Sequence, residues 1–357
     1  VAEVTSELDT FAKLEQDAAQ EKKYKQADFY SRVQNQIRKR DLLGFLGSRN
    51  VLPKYGFPTD VVELKTDHLQ TVADASSISL DRDLRIAISE FAPGSEVVAA
   101  KRLWRSVGVR KIPNREWPPY EYAICRNCQR LNFKAGELGA TCECGEPLFD
   151  GKHSKRTSYI IPEQGFVAGS DTTSPGEAPP QRIYASRTFF AHYRLPEKVA
   201  AEDDEQAEGP IILDEDFIGG RVQVQKRYSR YGWLAVVNNG MGSGFSICSY
   251  CGYAELAAQQ AKGKKEKMGH KDPLTGRDCT GYLRTYHLGH HFMTDVLELT
   301  FGTAIRTEGA IYSLLYAILD GASEALNIQR TDIHGAYYYR SAGGFPSLIL
   351  YDDVPGG

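Results

Sequence analysis

Seven cysteines constrain the fold of this 357-residue chain more than any other feature, because six of them fall in pairs one or two residues apart. Paired spacing puts two sulfurs on one turn of backbone, within reach of a common metal ion. In "CRNCQRLNFKAGELGATCECG" the pairs are Cys125 with Cys128 and Cys142 with Cys144. Four soft thiolates grouped in this way surround Zn²⁺ tetrahedrally and leave no position open for water or substrate, so the set points to a structural ion. Four unrelated free thiols and an iron–sulfur cluster are the competing readings.

Cys248 and Cys251 in "SICSYCGY" form a third pair, and only Cys279 remains to join them. Two complete tetrahedral sites need eight ligands, so the eighth is not a cysteine, and imidazole is the usual substitute. His270 lies between Cys251 and Cys279 in "GHKDPLTGRDC", where Pro273 and Gly276 allow the turn that would fold it back. His287, His290 and His291 in "YHLGHHFMTDVLEL" are its rivals. Their segment reads as a strand or ordered loop entering a core, which favours packing or hydrogen-bonding roles for them, with His287 kept as an alternative. A Cys₃His set is again closed. Zinc deaminases place an HxE before a PCxxC, and neither motif occurs here.

Basic residues accompany both sets. Arg126, Gln129, Arg130, Asn132 and Lys134 flank the first knuckle, and "AKGKKEKMGHK" carries Lys262, Lys264, Lys265, Lys267 and Lys271. Donors of this kind contact nucleic-acid phosphates, although basic runs are also common as solvated surface. The formal net charge of −3 makes any such patch local.

The remaining composition narrows the class. With 41% hydrophobic and 25% charged residues the chain can bury several cores, and no apolar run approaches the roughly 20 residues that span a bilayer. "VAEVTSELDT" lacks the basic and apolar regions of a signal peptide, so the expected location is the cytoplasm. No Walker A phosphate cradle is present, "DEDF" at 214–217 has none upstream of it, and with every cysteine assigned to a metal set no Ser/His/Asp or Cys/His catalytic set can be specified. Val1 in place of an initiator methionine and the terminal "PGG" point to a trimmed product or a piece of a longer chain.

Periodicity predicts an α+β fold with N-terminal helices, β-rich zinc-binding modules and a C-terminal helix–strand unit. Residues 5–47 have helical spacing; strand-like runs are expected from Val61, at Leu84–Phe91, Glu96–Ala100 and Glu121–Ile124, and a β-rich piece at Gln181–Tyr193. "RVQVQK" and "GWLAVVNN" are expected to pair, with "NNGMGSGFS" as a hairpin turn. Residues 304–328 should form a helix burying Ile311, Leu314, Leu315, Ile318, Leu319, Ala322 and Leu326, and "SLILYDD" a buried strand. The expected organisation is a helical segment, 1–48; an α+β module with the first knuckles, 49–167; a loop and acidic linker around a short β piece, 168–210; and a second zinc-binding module, 211–357.

The stretches "RDLLGFLGSRNVLPKYGFPTDVVEL", "SEFAPGSEVV", "CSYCG" with His270 and Cys279, "HLGHHFMTDVLEL", "YSLLYAILDGASEAL" and "LILYDDVPGG" together resemble one family. It is the C-terminal zinc-binding module of MrfA-type superfamily-two DEAD/DEAH-box DNA helicases, also found in DrmB-like helicase partners of the DISARM phage-defence system. The resemblance runs from about residue 40 to the end. It implies a module that holds zinc, packs against a helicase motor and helps engage DNA in repair or antiphage defence, with ATP and Mg²⁺ confined to the motor and no catalytic residue in this chain. The contrasting reading is a motorless scaffold whose zinc knuckles bind a helicase subunit without touching DNA; a zinc hydrolase or deaminase is disfavoured by the closed ligand sets.

Overall fold

The computed structural model describes residues 2–24, 26, 27, 30, 31, 34, 60–69, 71, 72, 74–112, 116–149, 156–193, 213–219, 222–260, 269–305, 307–340 and 345–352. The chain divides into two compact units, Val1–Thr59 and Asp60–Gly357. The first contains the helix Ala2–Gln20, whose Phe11 meets Tyr30 with ring centroids 6.4 Å apart. The part of the helical pattern expected over 5–47 that follows residue 34, and nearly all of "RDLLGFLGSRNVLPKYGFPTDVVEL", lie outside the described residues, as does the acidic run 197–210.

The second unit is β-rich, with mixed sheets and few helices, and so α+β in class. Its smaller sheet has five strands in the order Asp81–Asp83, Val61–Lys65, Phe166–Ala168, Arg102–Val109, Glu96–Ala99. Its larger sheet has eleven strands and is built on two long antiparallel ones, Val222–Asn238 and Leu283–Phe301, in register from Val224↔Phe301 to Asn238↔Leu288. At 17 and 19 residues they are about three times the usual strand length. Leu283–Phe301 sustains that length because both faces find cover. Leu288, His290, Phe292, Thr294, Val296 and Glu298 alternate on the buried face, while Leu297, Leu299 and Phe301 pack toward the helix Glu308–Leu326. That helix buries Ile311, Leu315 and Leu319 and leaves Leu326 exposed beside its C-cap, Asn327.

One core joins the two sheets. Leu64, Trp104 and Phe166 from the smaller, with Ile88 and Phe91 from the helix Leu84–Glu90 and its C-cap, meet Val236, Phe245, Ile247 and Leu288 from the larger. Side chains buried this completely each contribute about 1.5–3 kcal/mol. Asn238 locks the junction, its Nδ2 donating to the carbonyls of Ile88 and Ile183 at 2.7 Å each.

Two local expectations are corrected. Leu84–Glu90 is a helix, not a strand: Asp83 caps it by accepting from the Arg85 amide, and Leu84, Ala87 and Ile88 share its buried face. "RVQVQK" and "GWLAVVNN" do not pair with each other, since both belong to Val222–Asn238, whose register shifts between Ser229 and Gly232. "NNGMGSGFS" likewise closes no hairpin. The strands on either side of it, Val222–Asn238 and Phe245–Cys248, lie one after the other along the same partner, with Asn238 opposite Leu288 and Phe245 opposite Tyr286. No helix among the described residues is long and apolar enough to cross a membrane.

Candidate metal centres

The first cluster sits at the turns that end two paired strands. Tyr120–Ile124 runs into Cys125 and Cys128; Leu131–Ala135 returns beside it, and the chain then turns through Cys142 and Cys144. The four sulfurs lie within 4.8 Å of one another, with Cys125 to Cys144 at 3.5 Å and Cys128 to Cys142 at 3.6 Å. A tetrahedral Zn²⁺ with bonds near 2.3 Å would hold its sulfurs about 3.8 Å apart, so the site has zinc-sized dimensions, whereas a disulfide would need about 2.05 Å. Burial opposes ionisation at this site, yet the Cys142 thiol is pulled down to about 5 by the hydrogen bond from Cys128, whose own proton is held more tightly. Leu138 and Leu148 close the inner side, while Cys144 stands at the solvent edge. The knuckle is fixed to the large sheet where the Tyr339 amide donates to the Cys128 carbonyl at 2.8 Å.

The second cluster brings Cys248, Cys251, His270 and Cys279 together, again with ligand atoms within 4.8 Å. Cys248 ends the strand Phe245–Cys248, Cys251 follows on the knuckle, and His270 and Cys279 face each other across a two-stranded ribbon. Cys248 Sγ lies 3.9 Å from Cys279 Sγ, and Cys251 Sγ 3.1 Å from His270 Nε2. Backbone amides are aimed at the sulfurs: those of Tyr250 and Cys251 at Cys248, Tyr253 at Cys251, and Gly281 at Cys279, all at 3.3–3.5 Å. Such donors stabilise a thiolate, the form that binds metal. The His270 ring stacks on Tyr253 at 4.8 Å, and its partial burial lowers its pKa, keeping the imidazole neutral and ready to ligate.

Two glycines are required here by close approach. Gly252, at φ +78°, accepts at its carbonyl oxygen from the Val109 amide at 2.8 Å, and a Cβ there would stand 2.0 Å from the Val109 carbonyl oxygen. That contact docks the knuckle onto the smaller sheet. A Cβ on Gly281 would lie 2.7 Å from Cys248 Sγ.

The rival histidines are engaged elsewhere. His287 Nδ1 pairs with Tyr122 Oη at 2.6 Å and His291 Nδ1 with Tyr159 Oη at 2.7 Å, while His290 Nε2 is 3.8 Å from Asp60. Burial lowers His287 and takes His291 to about 3, aided by His290 and His192.

The expected phosphate contacts divide into three groups. Arg126 and Lys134 are exposed. Arg130 turns inward, its guanidinium 4.3 Å from the Tyr338 ring centre and 3.1 Å from Glu143, so it braces the first knuckle against the large sheet. Lys262, Lys264, Lys265 and Lys267 lie outside the described residues. Beneath Tyr338 is a polar centre that the sequence reading missed. Fully buried Glu298 accepts from Tyr193 at 2.7 Å and Tyr338 at 2.6 Å, with Arg227 3.8 Å away. Its only sequence signal is an acid on the inward phase of an alternating strand.

No family model matches the sequence. The chain is 24% identical over 366 aligned positions to Druantia protein DruE of Escherichia coli (strain UMEA 4076-1), a match that covers 89% of this chain. It spans 18% of that protein's length. Among solved structures, the DUF1998 helicase MrfA bound to DNA aligns with 83% of this chain and 26% of its own at 12% identity. The TM-score is 0.28.

Proposed function

We propose that this chain is a zinc-stabilised accessory region of a larger DNA-acting protein or assembly, working beside an ATP-dependent helicase motor in repair or antiphage defence. One observation carries the reading: both clusters are complete four-donor sets with mostly buried sulfurs, as expected of structural rather than catalytic zinc. In this reading Cys125, Cys128, Cys142 and Cys144 hold one ion, and Cys248, Cys251, His270 and Cys279 hold the other. The metals staple segments poor in apolar residues, and Arg126 and Lys134, with the lysines from 262 to 267, meet DNA phosphates. Alignment of most of this chain with under a fifth of Druantia protein DruE supports its being one part of a larger machine.

Fluorescence anisotropy with labelled DNA tests the function. Binding should weaken steeply between 50 and 200 mM salt as phosphate contacts release counterions, following the general behaviour of such interfaces. Absence of binding at low salt, with the metal content intact, would leave the interaction scaffold as the better reading.

A further inference from the structure

Cys144 is exposed, whereas the other six cysteines are buried. The turn that carries it is open: Glu143, Gly145 and Glu146 are exposed, and a Cβ placed on Gly145 would meet no atom within 4 Å. The second centre is closed by comparison. There a Cβ on Gly281 would come within 2.7 Å of Cys248 Sγ and 3.4 Å of Cys279 Sγ, and each of the three sulfurs accepts from a backbone amide. The donor that reaches Cys144 Sγ is the side-chain amide of Asn127, at 3.8 Å. Cys125 Sγ faces Cys144 Sγ at 3.5 Å. A disulfide needs about 2.05 Å, so this pair has about 1.5 Å to close. Cys142, on the same turn as Cys144, is engaged with Cys128 at 3.6 Å.

Cys144 thus combines contact with solvent and a second sulfur directly behind it. We propose that the first centre is an oxidation-sensitive switch, in which Cys144 is oxidised by a peroxide and then bonded to Cys125, with release of the ion. Sulfurs that ligate zinc are thiolates, the nucleophilic form, so no neighbouring cation is needed to activate Cys144. Its Sγ attacks one peroxide oxygen; the O–O bond breaks, the sulfur loses two electrons and hydroxide leaves, giving a sulfenic acid. Cys125 Sγ then attacks the Cys144 sulfur, forming the S–S bond, breaking the S–O bond and releasing a second hydroxide. Two thiolates and one hydrogen peroxide become one disulfide and two hydroxide ions. Cys128 and Cys142 alone no longer enclose a tetrahedral ion. The knuckle is tied to the large sheet at the Cys128 carbonyl, which accepts from the Tyr339 amide, so the change reaches beyond the cluster.

The proposal rests on the reading of Cys125, Cys128, Cys142 and Cys144 as zinc ligands, and one experiment separates the two. The zinc-loaded 357-residue chain is titrated with hydrogen peroxide while a metallochromic dye follows released zinc and non-reducing peptide mapping by mass spectrometry follows the cysteines. One ion should leave roughly tenfold faster than the other, because access to the thiolate sets the rate of oxidation. The map should show a Cys125–Cys144 disulfide with Cys248, Cys251 and Cys279 still reduced, and excess thiol with added Zn²⁺ should restore both ions. Cys144→His, which replaces the exposed sulfur with a nitrogen donor, should keep two ions and slow the release roughly tenfold. If that variant loses its ion, the wild-type map still decides. Simultaneous release of both ions, retention of both under excess peroxide, a disulfide from Cys144 to Cys128 or Cys142, or Cys144 recovered as sulfinic acid overturns the switch and leaves the zinc reading standing. A wild-type chain whose first set binds no zinc removes both.

Discussion

At Cys248, two backbone N–H groups converge on one sulfur, and a Cβ on Gly281 would collide with it. The sequence around this atom is therefore constrained by backbone donors and close approach as well as by the spacing of the donors. Cys279→Ser should lower the metal content from two ions per chain to one, measured by elemental analysis, while the first cluster keeps its ion. His291 is the opposite kind of residue, buried to stay uncharged. Its pKa is near 3 in the folded chain and 6.5 when exposed, so the unfolded chain binds a proton that the folded chain refuses. The stability this gives is complete above about pH 6.5 and is lost as pH falls toward 3, by about 1.4 kcal/mol per pH unit. In His291→Gln, urea unfolding between pH 6 and 4 should show a shallower pH dependence than wild type.

Among the elements, the knuckle "CSYCG" combines two donors that could hold a metal with an architectural role, because its Gly252 pairs with Val109 of the smaller sheet. Gly252→Ala adds a clash to a strained conformation, whereas Gly276→Ala, at φ +68° with nothing within 4 Å, adds only the strain. Strain of this kind costs about 1–3 kcal/mol. Urea titration should find Gly252→Ala the more destabilising of the two. The elements legible in the sequence were those with a local signal: the helix Glu308–Leu326 from its apolar period, and the strand Pro346–Asp352 from its continuous apolar run. Leu84–Glu90 misled because its apolar residues also suit a short strand, and the deciding group, the Asp83 cap, is one side chain. Val222–Asn238 misled because polar residues separate its two apolar runs in sequence, whereas the strand continues past them through a register shift against its partner.

At the scale of the molecule, Leu283–Phe301 links the regions of the two candidate metal centres. Its start pairs with Cys248, and its His287 and Leu288 pair with Tyr159 and Ile160, next to the strand that leads into Cys125. Removing metal should therefore affect more than the knuckles. With a strong chelator, limited proteolysis should cut in the 125–148 and 248–282 segments first, and the thermal transition should broaden and fall; re-addition of Zn²⁺ should reverse both.

The sequence by itself determined which side chains are able to ligate and in what pairs, because sulfur and imidazole donors and their spacing are local chemistry. It also determined that the chain would be α+β. Only the tertiary structure decided that His270 comes to Cys251 while His287 turns to Tyr122, that Arg130 faces inward and that Cys144 alone of the cysteines is exposed. Orientation and exposure follow from strand register and packing between residues that lie from 19 positions apart, as Cys251 and His270 do, to 165, as Tyr122 and His287 do, and no short window of sequence contains those contacts.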